Sequence, residues 1–462
     1  MESTDICQSP PYKIFFDGAE TGINTEIIYL QILYDPSDHS KTYGKLHKIY
    51  SPKFKKSIYI YKKIIYNRLQ YLSNKSKGNK SVSLFACKLI HGEKSMKSMY
   101  KQGNAESAAA QAASELKGST FIVYCADDRQ FAAISAKLHE LMPEVKMIGT
   151  TGFMIHDSGS FSEGIAAVGF DEKEAKVYVG VLKEAATCPI KHLPELRSCL
   201  DKIAAKYKST DSLCLEFATG HEEKMVSTMK ICLEPAGVRL LGGTSGNTGE
   251  GQPKKVACNG EVYTDAVVYA VIGNKMGKIE IVKENLFRER PITHRVTRAS
   301  EDGRTVFEID GRKAMDVYEE ELGYSDANVG DGVFKNPLDR IVGAENYITA
   351  IFSFNSDRSI STYKNVQKND LICFTDIEEN YQSYMENTMR TATQTGRVAG
   401  IISINCILRY LFFENNSYTS SYARMMKNMS GGVHLGMVSD GEQYVEQHVN
   451  QSMVCAVFMR DH

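Results

Sequence analysis

Ser439-Asp440-Gly441-Glu442-Gln443, followed by His448, Asn450, Gln451 and Ser452, is the richest polar cluster in the sequence. Carboxylate, amides, imidazole and hydroxyl this close together can fix both the ammonium and the carboxylate of an amino-acid-like ligand, with Glu442 facing the ammonium. The rival reading is a polar loop whose side chains cap its own backbone. Catalysis has less support. Cys406 could serve a thiol-dependent hydrolase with His434 or His448 as base, but no family signature for such a pair is visible. His221-Glu222-Glu223 lacks the second histidine of a zinc-protease helix, so helix-terminal charge accounts for it and no metal site is expected.

A second group of candidates is Gly242-Gly243-Thr244-Ser245-Gly246-Asn247, a glycine-rich turn after a short apolar strand. Gly149-Thr150-Thr151-Gly152 and Gly436 to Gly441 stand in the same relation to their strands. Glycine permits positive φ and close backbone approach, so such turns can cradle a ligand, although neither a phosphate-loop lysine nor a dinucleotide fingerprint is present. The alternative is that they only turn corners between strands.

These residues depend on the elements that carry them. Ala105 to Lys117 is rich in Ala, Phe121 to Cys125 is apolar and β-rich, and Arg129 to Leu141 is amphipathic, which predicts helix, strand, helix. Strand Val145 to Ile148 feeds the first glycine run, and apolar strands Gly164 to Phe170 and Lys176 to Leu182 follow. The order then repeats as helix Leu193 to Lys206, strand Ser212 to Phe217, helix Glu222 to Cys232, strand Val238 to Leu241, the second glycine run, and strands Gly260 to Tyr263 and Ala266 to Ile272. A third, looser copy has strand Gly400 to Asn405, helix Tyr418 to Met429, strand Val433 to Leu435, the third glycine run and strand Met453 to Phe458. Between copies two and three, Pro291 to Thr395 holds a tight Asp310-Gly311 turn, helix Lys313 to Leu322, and strands Tyr347 to Phe354 and Asp370 to Phe374. The expected fold class is α/β: tandem duplicated α/β units with mixed sheets over 96–287, and a related C-terminal α/β region over 288–462.

Residues 1–95 read differently. Tyr, Ile, Lys, Ser and Asn crowd together without strand or helix periodicity, and only Phe54 to Leu72 could make a helix. Their codons are AT-rich, and Gly92-Glu93 could be encoded by GGAGAA, which resembles a ribosome-binding site just before Met96. The segment is expected to be a poorly ordered extension or upstream DNA read in frame. A chain begun at Met96 should therefore melt with the same midpoint as the full chain. A midpoint many degrees lower, or insoluble protein, would show that residues 1–95 pack on the core.

Composition narrows the function. Lys+Arg number 55 against 56 Asp+Glu, for a formal net charge of -1, so the field that would gather nucleic acid is missing. Hydrophobic residues make up 42%, charged residues 24%, and no run approaches the length of a membrane span. The 11 Cys are scattered without a C-x-x-C pair, which fits neither a disulfide framework nor a zinc knuckle and points to a reducing cytoplasm.

From about Met99 to Asp461 the chain resembles FIST proteins, a bacterial sensory module of signal transduction. The resemblance rests on Leu241 to Asn247 with Asp265-Ala266-Val267 in the N-terminal half. In the C-terminal half it rests on Val296-Thr297-Arg298-Ala299, Glu308-Ile309-Asp310-Gly311-Arg312 with Val317-Tyr318, Asn336-Pro337-Leu338, Cys406, Gly441-Glu442-Gln443, His448 and Asn450-Gln451. The first glycine run lacks the Cys and the Gly-Glu pair usual there, and Ile407-Leu408-Arg409-Tyr410 replaces the small residues usual after Cys406. The resemblance implies a non-enzymatic cytoplasmic sensor of a small ligand, an amino acid or related metabolite. It works beside a histidine kinase, a cyclic-dinucleotide enzyme or a chemotaxis receptor. With no output domain after His462, the signal is expected to pass to another protein. Some relatives are haem-binding nitric oxide sensors, for which His434 or His448 could offer an axial nitrogen; no cofactor is otherwise expected.

Overall fold

The computed structural model describes residues 30–34, 42–46 and 96–461, apart from 158, 248–251 and 344. The chain divides into two compact units, Met1–Lys94 and Ser95–His462. In the first, Leu30–Tyr34 pairs antiparallel with Thr42–Leu46. The helix expected over Phe54 to Leu72 lies outside the described residues, as does most of the extension expected to be poorly ordered.

The second unit is built from one pattern used three times: strand, helix, strand, helix, strand, strand. Copy one is β1 (Lys97–Lys101), α1 (Ala105–Glu115), β2 (Phe121–Ala126), α2 (Phe131–Leu141), β3 (Lys146–Thr151) and β4 (Ile165–Phe170). α1 starts where it does because the Asn104 side chain accepts from the Ser107 N–H at 2.9 Å, satisfying one of the orphan donors of the first turn. Copy two is β5 (Ala175–Lys183), α3 (Leu193–Ala204), β6 (Ser212–Ala218), α4 (Glu222–Ala236), β7 (Arg239–Ser245) and β8 (Ala266–Asn274). Copy three opens with β9 (Ile279–Asn285) and is interrupted by an insert over 287–377. It resumes with α5 (Tyr381–Thr393), β10 (Arg397–Cys406), α6 (Ile407–Asn415), α7 (Thr419–Met429), β11 (His434–Tyr444) and β12 (Ser452–Arg460). The third copy reads as looser in sequence because the insert separates its first strand from the rest and because two helices, α6 and α7, stand where the other copies have one.

Copies two and three share a sheet in the order β9-β12-β10-β11-β7-β6-β8-β5. The order is symmetric about its centre. Within each copy the middle strands are parallel, β6 with β7 and β10 with β11, and the copies meet where β7 runs antiparallel to β11. Copy one forms a separate sheet whose path ends Val256–Cys258, β3, β2, β4, β1. The two sheets enclose a common apolar core that includes Phe121, Phe170, Phe217, Leu215, Ile404 and Phe458, with Phe170 and Phe458 edge to face at 5.0 Å. Helices cover the other faces, α1 and α2 on copy one, α3 and α4 on copy two, and α5 to α7 on copy three. Along β12, Val454, Ala456 and Phe458 enter the core between the sheets while Met453, Cys455 and Val457 pack toward the helices. Burial on both faces explains why these strands read as unbroken apolar runs.

The glycine-rich runs are not turns. Gly149 to Thr151 lies within β3, Gly242 to Ser245 within β7, and Gly436 to Gly441 within β11. Their N–H groups serve the sheet ladders, with Gly242 opposite Gln443 and Gly243 opposite Glu442. Glycine is required because a large side chain from the next strand lies where a Cβ would be. A Cβ on Gly242 would stand 2.4 Å from Glu216 Oε1, and one on Gly149 would stand 2.2 Å from the Tyr124 ring.

Candidate functional site

α4 begins beside the junction of β7 and β11. His221 precedes it in the left-handed region (φ 59°), and Glu222 and Glu223 occupy its first turn, where unpaired N–H groups favour carboxylates. Glu222 Oε1 accepts from Thr244 Oγ1 at 2.8 Å, and Thr244 Oγ1 accepts from Gln443 Nε2 at 3.2 Å. Burial pushes the Glu222 carboxyl up, but the His448 imidazole, its own backbone N–H and Thr244 together hold it below the usual range.

His448 lies over Gly441, a position in β11 where a side chain would collide with it. A Cβ there would stand 2.3 Å from His448 Cε1, and the backbone has φ +141°. His448 Nδ1 donates to the Glu442 carbonyl at 3.1 Å, which leaves Nε2 to accept from Asn450 Nδ2 at 3.4 Å. Burial lowers its pKa, against the pull of the Glu222 and Glu223 carboxylates, which favour the charged ring.

Glu442 belongs to a different compartment. Its Oε1 and Oε2 are bonded to Ser439 Oγ and Ser452 Oγ, each at 2.8 Å, and it is 0% exposed. Burial outweighs these bonds and pushes the carboxyl up to about 8. Ser439 Oγ also lies 3.3 Å from the Asn405 carbonyl, so it can donate there while accepting the Glu442 proton. Both Glu442 oxygens are thus engaged internally, and the ammonium-facing role expected of this residue has no free oxygen to use.

Cys406 is buried beside Glu442, at the start of α6. Burial and the Glu442 charge push its thiol up, although N–H groups of Gln451, Leu408 and Arg409 point at the sulfur. His434 Nε2 is bonded to Ser403 Oγ at 2.9 Å and burial pulls its pKa down to about 3. Among the described residues neither His434 nor His448 hydrogen-bonds to Cys406, so the pair needed for a thiol hydrolase is not assembled. Cys406→Ala should leave ligand binding within a few fold, because one small buried thiol contributes little beyond a cavity. Turnover of amides or esters that disappeared in this variant would reverse that expectation. The two histidines also do not fit a haem, whose iron needs a free imidazole nitrogen facing an open slot. His448 has both nitrogens engaged, and His434 Nδ1, although without a hydrogen-bond partner among the described residues, is buried and faces no open slot.

The insert closes over the first compartment. Glu223 accepts from Arg304 Nη2 and from the Asn365 N–H, both at 2.9 Å. Asn450 N donates to the Ile348 carbonyl at 3.3 Å, and Arg340 bonds the Asn365 carbonyl at 3.1 Å and Gln447 Oε1 at 3.3 Å. In this seam Lys364 is 1% exposed and its Nζ has no hydrogen-bond partner among the described residues. Burial, reinforced by Arg340, pulls its pKa down to about 7. Gln443 Oε1, Asn365 Oδ1 and Gln451 Oε1 are also buried without hydrogen-bond partners among the described residues.

The structure therefore brings Thr244, Gly441, Gln443, His448 and Asn450 together, puts Ser439 and Glu442 behind them, and engages Ser245, Gly246, Asn247 and Gln451 elsewhere. Ser245 Oγ bonds the Ala218 carbonyl at 3.2 Å, Gly246 N bonds Thr151 O at 3.0 Å, and Asn247 Nδ2 bonds Gln252 O at 2.7 Å. Gln451, held left-handed at φ 48°, turns the chain into β12. Glu222, Glu223, Arg304, Lys364 and Asn365 are the site residues that sequence reasoning missed. The paired acids at the start of α4 were the available signal; nothing around Lys364 predicts its burial.

Residues 119–312 match the FIST N domain and residues 314–445 match the FIST C domain. The chain belongs to the FIST family. FIST domains are sensory domains of signal transduction. An uncharacterized protein of Methanocaldococcus jannaschii is 24% identical over 243 residues, 48% of this chain and 47% of that protein, so the chain spans about half the length of that curated relative. The seam draws on both FIST regions, with Glu222, Glu223, Thr244 and Arg304 from FIST N and Lys364, Asn365 and Gln443 from FIST C. No helix among the described residues is long and apolar enough to cross a membrane.

Proposed function

We propose that this FIST protein is a non-enzymatic cytoplasmic sensor that binds an amino acid or related metabolite in the seam between α4, β11 and the insert. It passes the signal to a partner such as a histidine kinase, a cyclic-dinucleotide enzyme or a chemotaxis receptor. The observation that carries the reading is the buried Lys364 amine, without a hydrogen-bond partner among the described residues, in one seam with the Gln443 and Asn365 amide oxygens that likewise have none. Unpaired buried polar atoms are rare and costly, and a zwitterion would satisfy both kinds, its carboxylate on Lys364 and its ammonium on the amide oxygens and Glu222. A ligand held there touches the insert and the central sheet together, so its arrival would change how firmly the insert is held.

A thermal-shift screen of amino acids tests this. Ligand at a hundredfold excess over Kd stabilises by about 2.7 kcal/mol, which such a screen detects. Lys364→Met keeps the apolar stem and removes the buried charge, so the free protein should become more stable while the ligand shift disappears. A Lys364→Met protein that responds to the same amino acid as wild type would sink the reading.

A further inference from the structure

The face of the insert that carries Asp339 and Cys373 holds a cluster that the seam does not use. Leu338–Val342 and Leu371–Ile377 are adjacent antiparallel strands in which Asp339 stands opposite Cys373. Phe287–Glu289 pairs with the same Leu371–Ile377 strand, with Glu289 opposite Thr375. Residues two apart on a strand share a face, so Asp339, Cys373 and Glu289 fall on one face across three neighbouring strands. The other face, with Leu338, Ile372 and Phe374, forms the apolar core of the insert.

Among the described residues, Glu289, Asp339 and Cys373 bring one donor atom each to within 4.8 Å of one another. Asp339 is 2% exposed, and its Oδ1 has no hydrogen-bond partner among the described residues. An unpaired carboxyl oxygen that deep is costly unless the group is protonated or something cationic meets it. Lys364 and Lys283 affect Asp339 only through space, and no ion pair joins either of them to it among the described residues. We propose that Glu289, Asp339 and Cys373 form a binding site for a borderline divalent cation of the zinc type.

The donor set fixes the class of ion. A thiolate selects zinc-like ions over magnesium or calcium, and two carboxylates make the site anionic enough to hold a dication. Donors this close need only small rotamer changes to reach metal bonds of about 2.0–2.3 Å. Three protein ligands leave a fourth tetrahedral position open, and exposed Glu289 gives the ion a way in. Glu289 ends the short strand that follows β9, so a bound ion would tie the exit from the central sheet to the middle of the insert.

The test uses the full chain, freed of metal by chelation and titrated with Co2+ and then Zn2+. One equivalent of Co2+ should produce a thiolate-to-cobalt charge-transfer band that Zn2+ abolishes, and Cys373→Ser should lack the band. Asp339→Asn and Glu289→Gln should keep the band while weakening Co2+ at least about tenfold. A band that survives in Cys373→Ser, or no band in the wild-type protein, overturns the site. Should Cys373→Ser fail to fold, the other two variants decide: unchanged Co2+ affinity in both overturns it, and tenfold weakening in both supports it.

Discussion

Arg409→Met is expected to lower the unfolding free energy by about 3–5 kcal/mol, the range for breaking a buried ion pair from one side. Arg409 Nη2 lies 2.5 Å from Glu284 Oε2, and both side chains are 0% exposed. The pair joins α6 to β9, the strand separated from the rest of copy three by the insert. The guanidinium also packs on the Phe413 and Tyr422 rings, at 4.9 and 5.7 Å from their centroids. Burial raises the pKa of Glu284 and Arg409 opposes that rise, so losing the arginine leaves a carboxyl in an apolar core with nothing to neutralise it. Urea unfolding measures the loss. Adding Glu284→Gln to Arg409→Met should recover part of it, because the uncompensated charge goes with the carboxylate. A single-variant loss below about 1 kcal/mol would mean that the pair does not hold the insert-split copy together.

The repeat was legible in the sequence because each copy buries its strands on both faces and so writes the same apolar runs three times. What the sequence hid was mostly cross-strand. Gly242 is glycine because of Glu216 on the neighbouring strand, and Gly149 because of Tyr124. Sequence neighbours cannot reveal such contacts, so strand glycines read as turns. β9 falls inside 96–287, the region expected to end with copy two, because the insert separates it from the helix that would mark it as the start of copy three. At the site, the Ser439 to Ser452 stretch shows its polar residue types in sequence, but strand alternation sends Gln443 toward α4 and Glu442 toward Ser439 and Ser452. The partners that complete the seam, Lys364 and Asn365, come from the insert and carry no local pattern.

Glu442→Gln should change the pH dependence of stability more than its magnitude at any one pH. The folded pKa of about 8 stands above the unfolded value of 4.5, so the native state keeps a proton that the unfolded chain releases. Stability from this group is fully present below pH 4.5 and is lost as pH rises through about 8. Across that window the stability of wild type relative to Glu442→Gln should fall on the order of 5 kcal/mol. Glutamine has the same shape, can donate to Ser439 and accept from Ser452, and has no proton to lose. Other titrating groups, Lys364 and Asp339 among them, are common to both proteins and cancel in the difference. Urea unfolding from pH 5 to 8.5 gives the curve, and a flat difference would mean that Glu442 is ionised in the fold. The same variant separates the two compartments. With the ligand held by Lys364, Gln443 and Asn365, Glu442→Gln should keep its amino-acid thermal shift; losing that shift while the free protein stays folded would return the ammonium contact to Glu442.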